Sequence, residues 1–242
     1  MYHSHQSQAR TRPIYNYRHP AKSTAAVEVG SENERISVIG LGLMGSLLSV
    51  SFANNDHKVI AVDMDSRKVN GINQNHSPIQ DAELEAAIIS ARNKRNLVAT
   101  SDLHNAILQT EVTLVCIGKV DPQESTVAKN IETVCQQIGA TLAIKGHYHL
   151  VVIHSDLNST CSEKHLKPIL EKWSNKRCGK DFGLCYLPLH VAHKSQYSTA
   201  KLSEGILHGA HDNKSANAAS RLFSTLDIGL KNVGVAAKLN TN

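Results

Sequence analysis

Residues 35–45 read Arg-Ile-Ser-Val-Ile-Gly-Leu-Gly-Leu-Met-Gly. The first five are mostly β-branched and end in glycine, the pattern of a buried strand. The next six place glycines at 40, 42 and 45, a G-x-G-x-x-G spacing. A helix-forming stretch, roughly 43–54, follows at once. Each glycine has a physical reason. Gly40 permits a tight turn, Gly42 lets the backbone approach a pyrophosphate, and Gly45 lets the helix pack against the strand. The N-terminus of such a helix offers unpaired N–H groups and a partial positive charge to phosphates. A second strand, 57–63, closes on Asp63, where a carboxylate bonds adenosine ribose hydroxyls and repels a 2′-phosphate. That favours NAD over NADP, although Arg67 lies four residues on. The alternative reading is a dinucleotide fold that has lost its cofactor or takes another nucleotide.

Outward from this motif, strands alternate with helices. Strands are expected at 112–118, 149–154 and 181–187, with a further one at 205–209. Helices are expected at 81–95, 124–143, 161–174 and 214–227. Spacings of this kind indicate βαβ units and an α/β, Rossmann-like, doubly wound parallel sheet. Residues 1–34 are polar and aperiodic and read as a tail. Arg10, Arg12, Arg18 and Lys22 precede the first acid, Glu28. Such a basic stretch touches phosphate or an anionic surface, or is simply solvated.

Composition narrows the function classes. The chain has 242 residues, of which 41% are hydrophobic and 19% charged, enough for a packed core. Aromatics make up only 4%, which argues against an aromatic sugar cleft or a base-stacking platform, so no nucleic-acid partner is expected. No apolar run approaches the roughly 18 residues of a membrane span, and the first thirty residues contain no secretory h-region. Net charge is +5. The five cysteines, at 116, 135, 161, 178 and 185, include no C-x-x-C pair. They are expected as single buried thiols in a reducing compartment, the cytoplasm.

Beyond the fingerprint, the segments ISVIGLGLMG (36–45), HKVIAVDMDSRKVNGINQNHSPI (57–79), LEAAI (84–88), ATSDLHNAI (99–107), VTLVCIG (112–118), NIETVCQQIG (130–139) and KDFGL (180–184) resemble the N-terminal domain of the UDP-glucose/GDP-mannose dehydrogenase family. The GDP-mannose 6-dehydrogenase branch, which supplies the alginate precursor of exopolysaccharide, is the most similar. The resemblance implies NAD as cofactor and a two-step oxidation of a nucleotide-sugar alcohol to a carboxylate through a cysteine thioester. It also implies the division into a tail (1–34), a Rossmann-like NAD-binding domain (35–230) and the start of a truncated central helix (231–242). Candidate cofactor contacts are Gly40, Gly42, Leu43, Met44, Gly45, Asp63, Gly118 and Ser155, the last also facing a sugar or the nicotinamide.

The chain departs from the family pattern where chemistry is concentrated. No SCLPKD-like segment holds a thiol. Lys119-Val120 stands after Gly118 where the family has a threonine-proline pair. Ser155-Asp156-Leu157-Asn158-Ser159-Thr160 lacks the family's Pro-Gly, and Leu189 replaces a glutamate of N-P-E-F. Asp81-Ala82-Glu83-Leu84-Glu85 stands for E-P-G-L-E, and Asn240 and Lys238 fall near a catalytic lysine position without matching it. No catalytic residue is therefore assigned, and the protein is expected to be catalytically incomplete alone. Its partners would be NAD, a nucleotide sugar, and a full-length dehydrogenase or a second copy. A two-electron oxidoreductase remains an alternative, because hydride transfer needs no thiol, and so does a decayed fragment. The pairs His147/His149, His190/His193 and His208/His211 lack a completing ligand, so no metal is expected. His190 would stand on an active-site loop.

Overall fold

The computed structural model describes residues 33–118, 127–155, 162–188, 207–226 and 233–235. Its strands are β1 (Arg35–Ile39), β2 (Lys58–Val62), β3 (Leu97–Thr100), β4 (Val112–Val115), β5 (Leu150–Ser155), β6 (Gly183–Pro188), β7 (Leu207–Ala210) and β8 (Val233–Val235). They form one sheet in the order β3-β2-β1-β4-β5-β6-β7-β8. The first six are all parallel, giving the doubly wound 3-2-1-4-5-6 order in which direction reverses between β1 and β4. β7 then pairs antiparallel to β6, and β8 parallel to β7.

The helices are α1 (Leu43–Asn54), α2 (Ser66–Asn73), α3 (Ala82–Asn93), α4 (Leu103–Leu108), α5 (Val127–Ile144), α6 (Lys167–Ser174) and α7 (Asn213–Ser224), with a π-helical turn at Ser162–Leu166 before α6. They cover both faces. Leu48 and Phe52 of α1, Ile72 of α2, Ile88 of α3 and Phe223 of α7 pack on Ile36, Val38, Leu114 and Val152. Ile107 of α4, Ile138 of α5 and Leu170 of α6 pack on Ile39, Val115, Val151 and Ile153. Successive strand residues thus feed opposite cores, as the two-residue period of a strand buried on both sides requires. Sharp starts come from side-chain caps: Asp65, Asp81, Asp102 and Asp212 accept from backbone N–H groups at the starts of α2, α3, α4 and α7.

The elements α2, α4 and β3 escape the periodicity reading. All are short, and β3 spans four residues, too few for a pattern to declare itself. The expected tail is described only at Asn33 and Glu34, and Glu34 is buried, its N–H donating to His57 Nδ1. The segment read as the start of a helix (231–242) is described only at Val233–Val235, which is strand β8. Val-Gly-Val has low helix propensity, and the antiparallel strand β7 offers it a free edge.

The opposite sheet edge, β3, is closed from within. Asn73 Nδ2 donates to Ala99 O at 2.8 Å, and Ala99 N donates to Asn73 Oδ1 at 2.9 Å. One amide side chain therefore imitates a neighbouring strand, and Arg92 covers Leu97 O. Edge strands carry unpaired donors and acceptors that recruit other chains, and these contacts remove them.

Candidate functional site at the carboxyl edge of the sheet

Because β2, β1, β4 and β5 are parallel neighbours, the residues that follow each of them emerge at one edge. Gly40 follows β1, Asp63 follows β2 and Gly118 lies three residues beyond β4, while Ser155 ends β5. The fold thus gathers the candidates at the strand-order reversal, where open α/β sheets form their ligand crevice.

The glycine loop is shaped by backbone crowding on one side and space on the other. Gly40 has φ +97°, and a Cβ there would lie 2.6 Å from Cys116 O. Its N–H donates to Val62 O at 2.8 Å, so the turn is stitched to the end of β2. At Gly45 a Cβ would fall 1.7 Å from Gly40 O, so the first turn of α1 lies directly on the loop it follows. Gly42 is the opposite case. It is exposed, and nothing lies within 4 Å of where its Cβ would be. Gly42 is also the N-cap of α1, and no side chain caps it, nor is there an acid in the first turn. A helix end without a cap leaves N–H donors and a partial positive charge facing that space. The residues present fit the phosphates of a dinucleotide. Leu43 and Met44, half-buried, start the same turn.

Asp63 is only 13% exposed at its side chain. Its Oδ2 accepts from Leu41 N at 2.7 Å, its Oδ1 accepts from Asp65 N at 2.9 Å, and Lys68 Nζ stands 3.3 Å from Oδ2. The acid is therefore tied to the glycine loop itself, holding two backbone N–H donors and the Lys68 side chain. Arg67, the residue that raised the possibility of NADP, is engaged elsewhere. It grips Asp65 through Nε (3.0 Å) and Nη2 (2.8 Å). That guanidinium holds the Asp65 carboxyl down at about 2.

The remaining candidates differ in access. Gly118 is exposed, with open space around its Cα. Ser155 is fully buried, and its carbonyl accepts from Tyr186 Oη at 3.3 Å. Lys119, Val120, Asp156–Thr160, Leu189, His190 and His193 lie outside the described residues, as does Cys161. Burial pushes the Cys116, Cys135 and Cys178 thiols up to about 12, and Cys185 still higher. A thiol nucleophile must ionise near neutral pH, which these cannot do. His149 and His211 each bond a lysine, Lys145 and Lys167 respectively. Among the described residues, no group of three or more His, Cys, Asp or Glu side chains converges as a metal site.

Sequence reading missed Lys68, whose partnership with Asp63 follows from one helical turn at the start of α2. It also missed Ser46, a fully buried hydroxyl in the first turn of α1 that has no hydrogen-bond partner among the described residues. No helix among the described residues is long and apolar enough to cross a membrane.

Comparison with known proteins agrees with this geometry. Residues 34–227 match the model of the UDP-glucose/GDP-mannose dehydrogenase family, NAD binding domain. GDP-mannose 6-dehydrogenase of Pseudomonas aeruginosa is 30% identical over 194 residues, covering 80% of this chain and 44% of that protein. UDP-glucose 6-dehydrogenase of Haloferax volcanii is 26% identical over 79% of this chain and 44% of its own length. The crystal structure of a ternary complex of GDP-mannose dehydrogenase from P. aeruginosa superposes with a TM-score of 0.75 at 28% identity, over 85% of this chain and 47% of that one. The chain thus spans about half the length of the relatives it matches. The glycine loop, Asp63 and the six parallel strands all lie inside the matched range, and this chain belongs to the UDP-glucose/GDP-mannose dehydrogenase family by its NAD-binding domain.

Proposed function

We propose that this protein binds NAD at the carboxyl edge of its sheet and serves as the dinucleotide half of a nucleotide-sugar dehydrogenase system, without completing the four-electron oxidation by itself. The observation that carries the proposal is the open space at Gly42 beside an uncapped helix N-terminus, with Asp63 tethered to the same loop. In this reading the N–H groups of the α1 first turn, including Leu43 and Met44, receive the pyrophosphate. Asp63 bonds the ribose hydroxyls and disfavours a 2′-phosphate, and Gly118 leaves room beyond β4. NAD, once bound, supplies a hydride acceptor. Incompleteness is supported by the described thiols, all held protonated by burial, so none can carry a thioester.

The test is a thermal-shift or calorimetric titration with NAD, NADH, NADP, GDP-mannose and UDP-glucose. A ligand that binds only the folded state raises the melting temperature. NAD or NADH should stabilise more than NADP; no shift with any dinucleotide would overturn the proposal. Turnover of GDP-mannose or UDP-glucose with NAD by the chain alone would remove the claim of incompleteness. The same buried thiols favour a second reading, a sensing or docking module that partners a longer dehydrogenase. Stable co-purification with such a protein, set against its absence, separates the two.

A further inference from the structure

The amino edge of the sheet holds a buried polar chain that the dinucleotide site does not use. Lys145, 4% exposed at the end of α5, donates through Nζ to Ile107 O at 2.7 Å and to Thr110 O, and meets His149 Nδ1 at 2.8 Å. The other ring nitrogen of the fully buried His149 lies 2.7 Å from Thr113 Oγ1. Thr113 Oγ1 lies 2.7 Å from Ser37 Oγ, its register partner across β1 and β4. Ser37 Oγ reaches Val112 O at 3.2 Å, and Thr110 Oγ1 lies 3.1 Å from Ser37 Oγ and 3.0 Å from Ala106 O.

Donors and acceptors in this chain can be assigned in two complete ways. With Lys145 an ammonium, its three N–H bonds go to Ile107 O, Thr110 O and His149 Nδ1. His149 is then the Nε2–H tautomer donating to Thr113, Thr113 donates to Ser37, and Ser37 to Val112 O. With Lys145 an amine, two N–H bonds remain on the carbonyls and its lone pair faces His149. The ring must now carry its proton on Nδ1 and donate to Lys145. Thr113 turns its hydroxyl onto Nε2, and Ser37 donates to Thr113. One proton leaves, every hydroxyl and ring nitrogen keeps a partner, and the chain reverses its direction.

We infer that Lys145, His149, Thr113 and Ser37 form a reversible relay in which loss of one proton from Lys145 flips the His149 tautomer and inverts the hydroxyl dipoles under β1 and β4. Burial places the Lys145 ammonium at about 7, far below an ordinary lysine, so the flip falls near neutral pH. The charged groups facing Lys145 are Glu111, which favours the ammonium, and Arg35 and Lys176, which oppose it. His147 and His149, both with pKa values lowered by burial and by the neighbouring Lys145, complete its surroundings, and His104 bonds Thr141 one turn before it on α5. Arg35 and Glu111 neutralise one another in an ion pair, and Lys176 bonds the Lys145 carbonyl.

Nitrogen NMR of the His149 ring in the whole chain reads the tautomer directly. Between about pH 6 and about pH 9, the protonated-type and bare-type nitrogen signals should exchange places between Nδ1 and Nε2, without the joint shift of an imidazolium. Thr113→Val, close in shape, leaves an Nε2–H donor stranded in the low-pH form but only an acceptor in the high-pH form. It should therefore move the exchange to lower pH. Lys145→Met should abolish the pH dependence. A single tautomer throughout the range, or joint protonation of both nitrogens, would overturn the inference. Should the lysine variant fail to fold, the wild-type titration and Thr113→Val still decide it.

Discussion

The two ends of the sheet are built on opposite terms. At the carboxyl edge, around Gly42, the first-turn donors of α1 face open space, and no side-chain cap answers them among the described residues. At the amino edge, buried polar atoms between β1, β4 and β5 find one another: Lys145, His149, Thr113, Ser37 and the end of α4. Both ends gather polar groups. Partnered polar atoms hold the fold together, and uncommitted ones beside a cradle are available to a ligand.

This contrast can be broken most violently at Gly45. With a Cβ destined for 1.7 Å from Gly40 O, Gly45→Ala should cost at least about 3 kcal/mol in denaturant unfolding and abolish NAD binding with it. The next largest effect belongs to the amino edge. An unfolded chain keeps the Lys145 proton up to its ordinary value of 10.5, whereas the folded chain releases it above about 7. Between these values the unfolded state binds more protons, so the penalty present below about pH 7 is relieved as pH rises. The unfolding free energy should climb with pH across that window, by at most about 1.4 kcal/mol per pH unit from this group. Lys145→Met, compared with wild type over the same range, should flatten the climb.

Asp63→Ala should weaken NAD binding by about 10- to 100-fold, the loss of charge-assisted hydrogen bonds, and narrow the preference over NADP in calorimetry. Asn73→Ala leaves Ala99 N and O without their partner and should cost about 1–3 kcal/mol, with a greater tendency to self-associate visible by light scattering. Gly42→Ala should be the mildest for folding, under about 1 kcal/mol, because its Cβ meets nothing. NAD affinity should nevertheless drop by about tenfold or more as the methyl enters the phosphate cradle. A Gly42 variant that destabilises the fold as much as a Gly45 variant would show that Gly42 is committed to packing and not left open at the carboxyl edge.

The parts legible in the amino-acid sequence were those written locally. The G-x-G-x-x-G run, the β-branched strands and the acid closing β2 announce a dinucleotide fold because turn, strand and helix-terminus chemistry act over a few residues. The Asn-Gln-Asn-His-Ser-Pro-Ile segment (73–79) pointed to the family without revealing that Asn73 closes a sheet edge 26 residues away. Ser155 was a contact candidate through the family segment that it opens; the structure makes it the last residue of β5 and buries it completely. Leu97–Thr100 did not declare itself a strand, since only the neighbouring β2 makes it one.

Sequence alone determined the fold class, the glycine loop and the acid beside it, since each follows from backbone conformations and periodicities that neighbours along the chain enforce. Tertiary structure decided which polar groups are left over. Ser37 and Thr113 stand 76 residues apart in the chain and 2.7 Å apart in the fold, and Lys145 draws its partners from two separate segments, 107–110 and His149. Whether a lysine or histidine is surface, core or site depends on the desolvation and hydrogen bonds that only packing supplies.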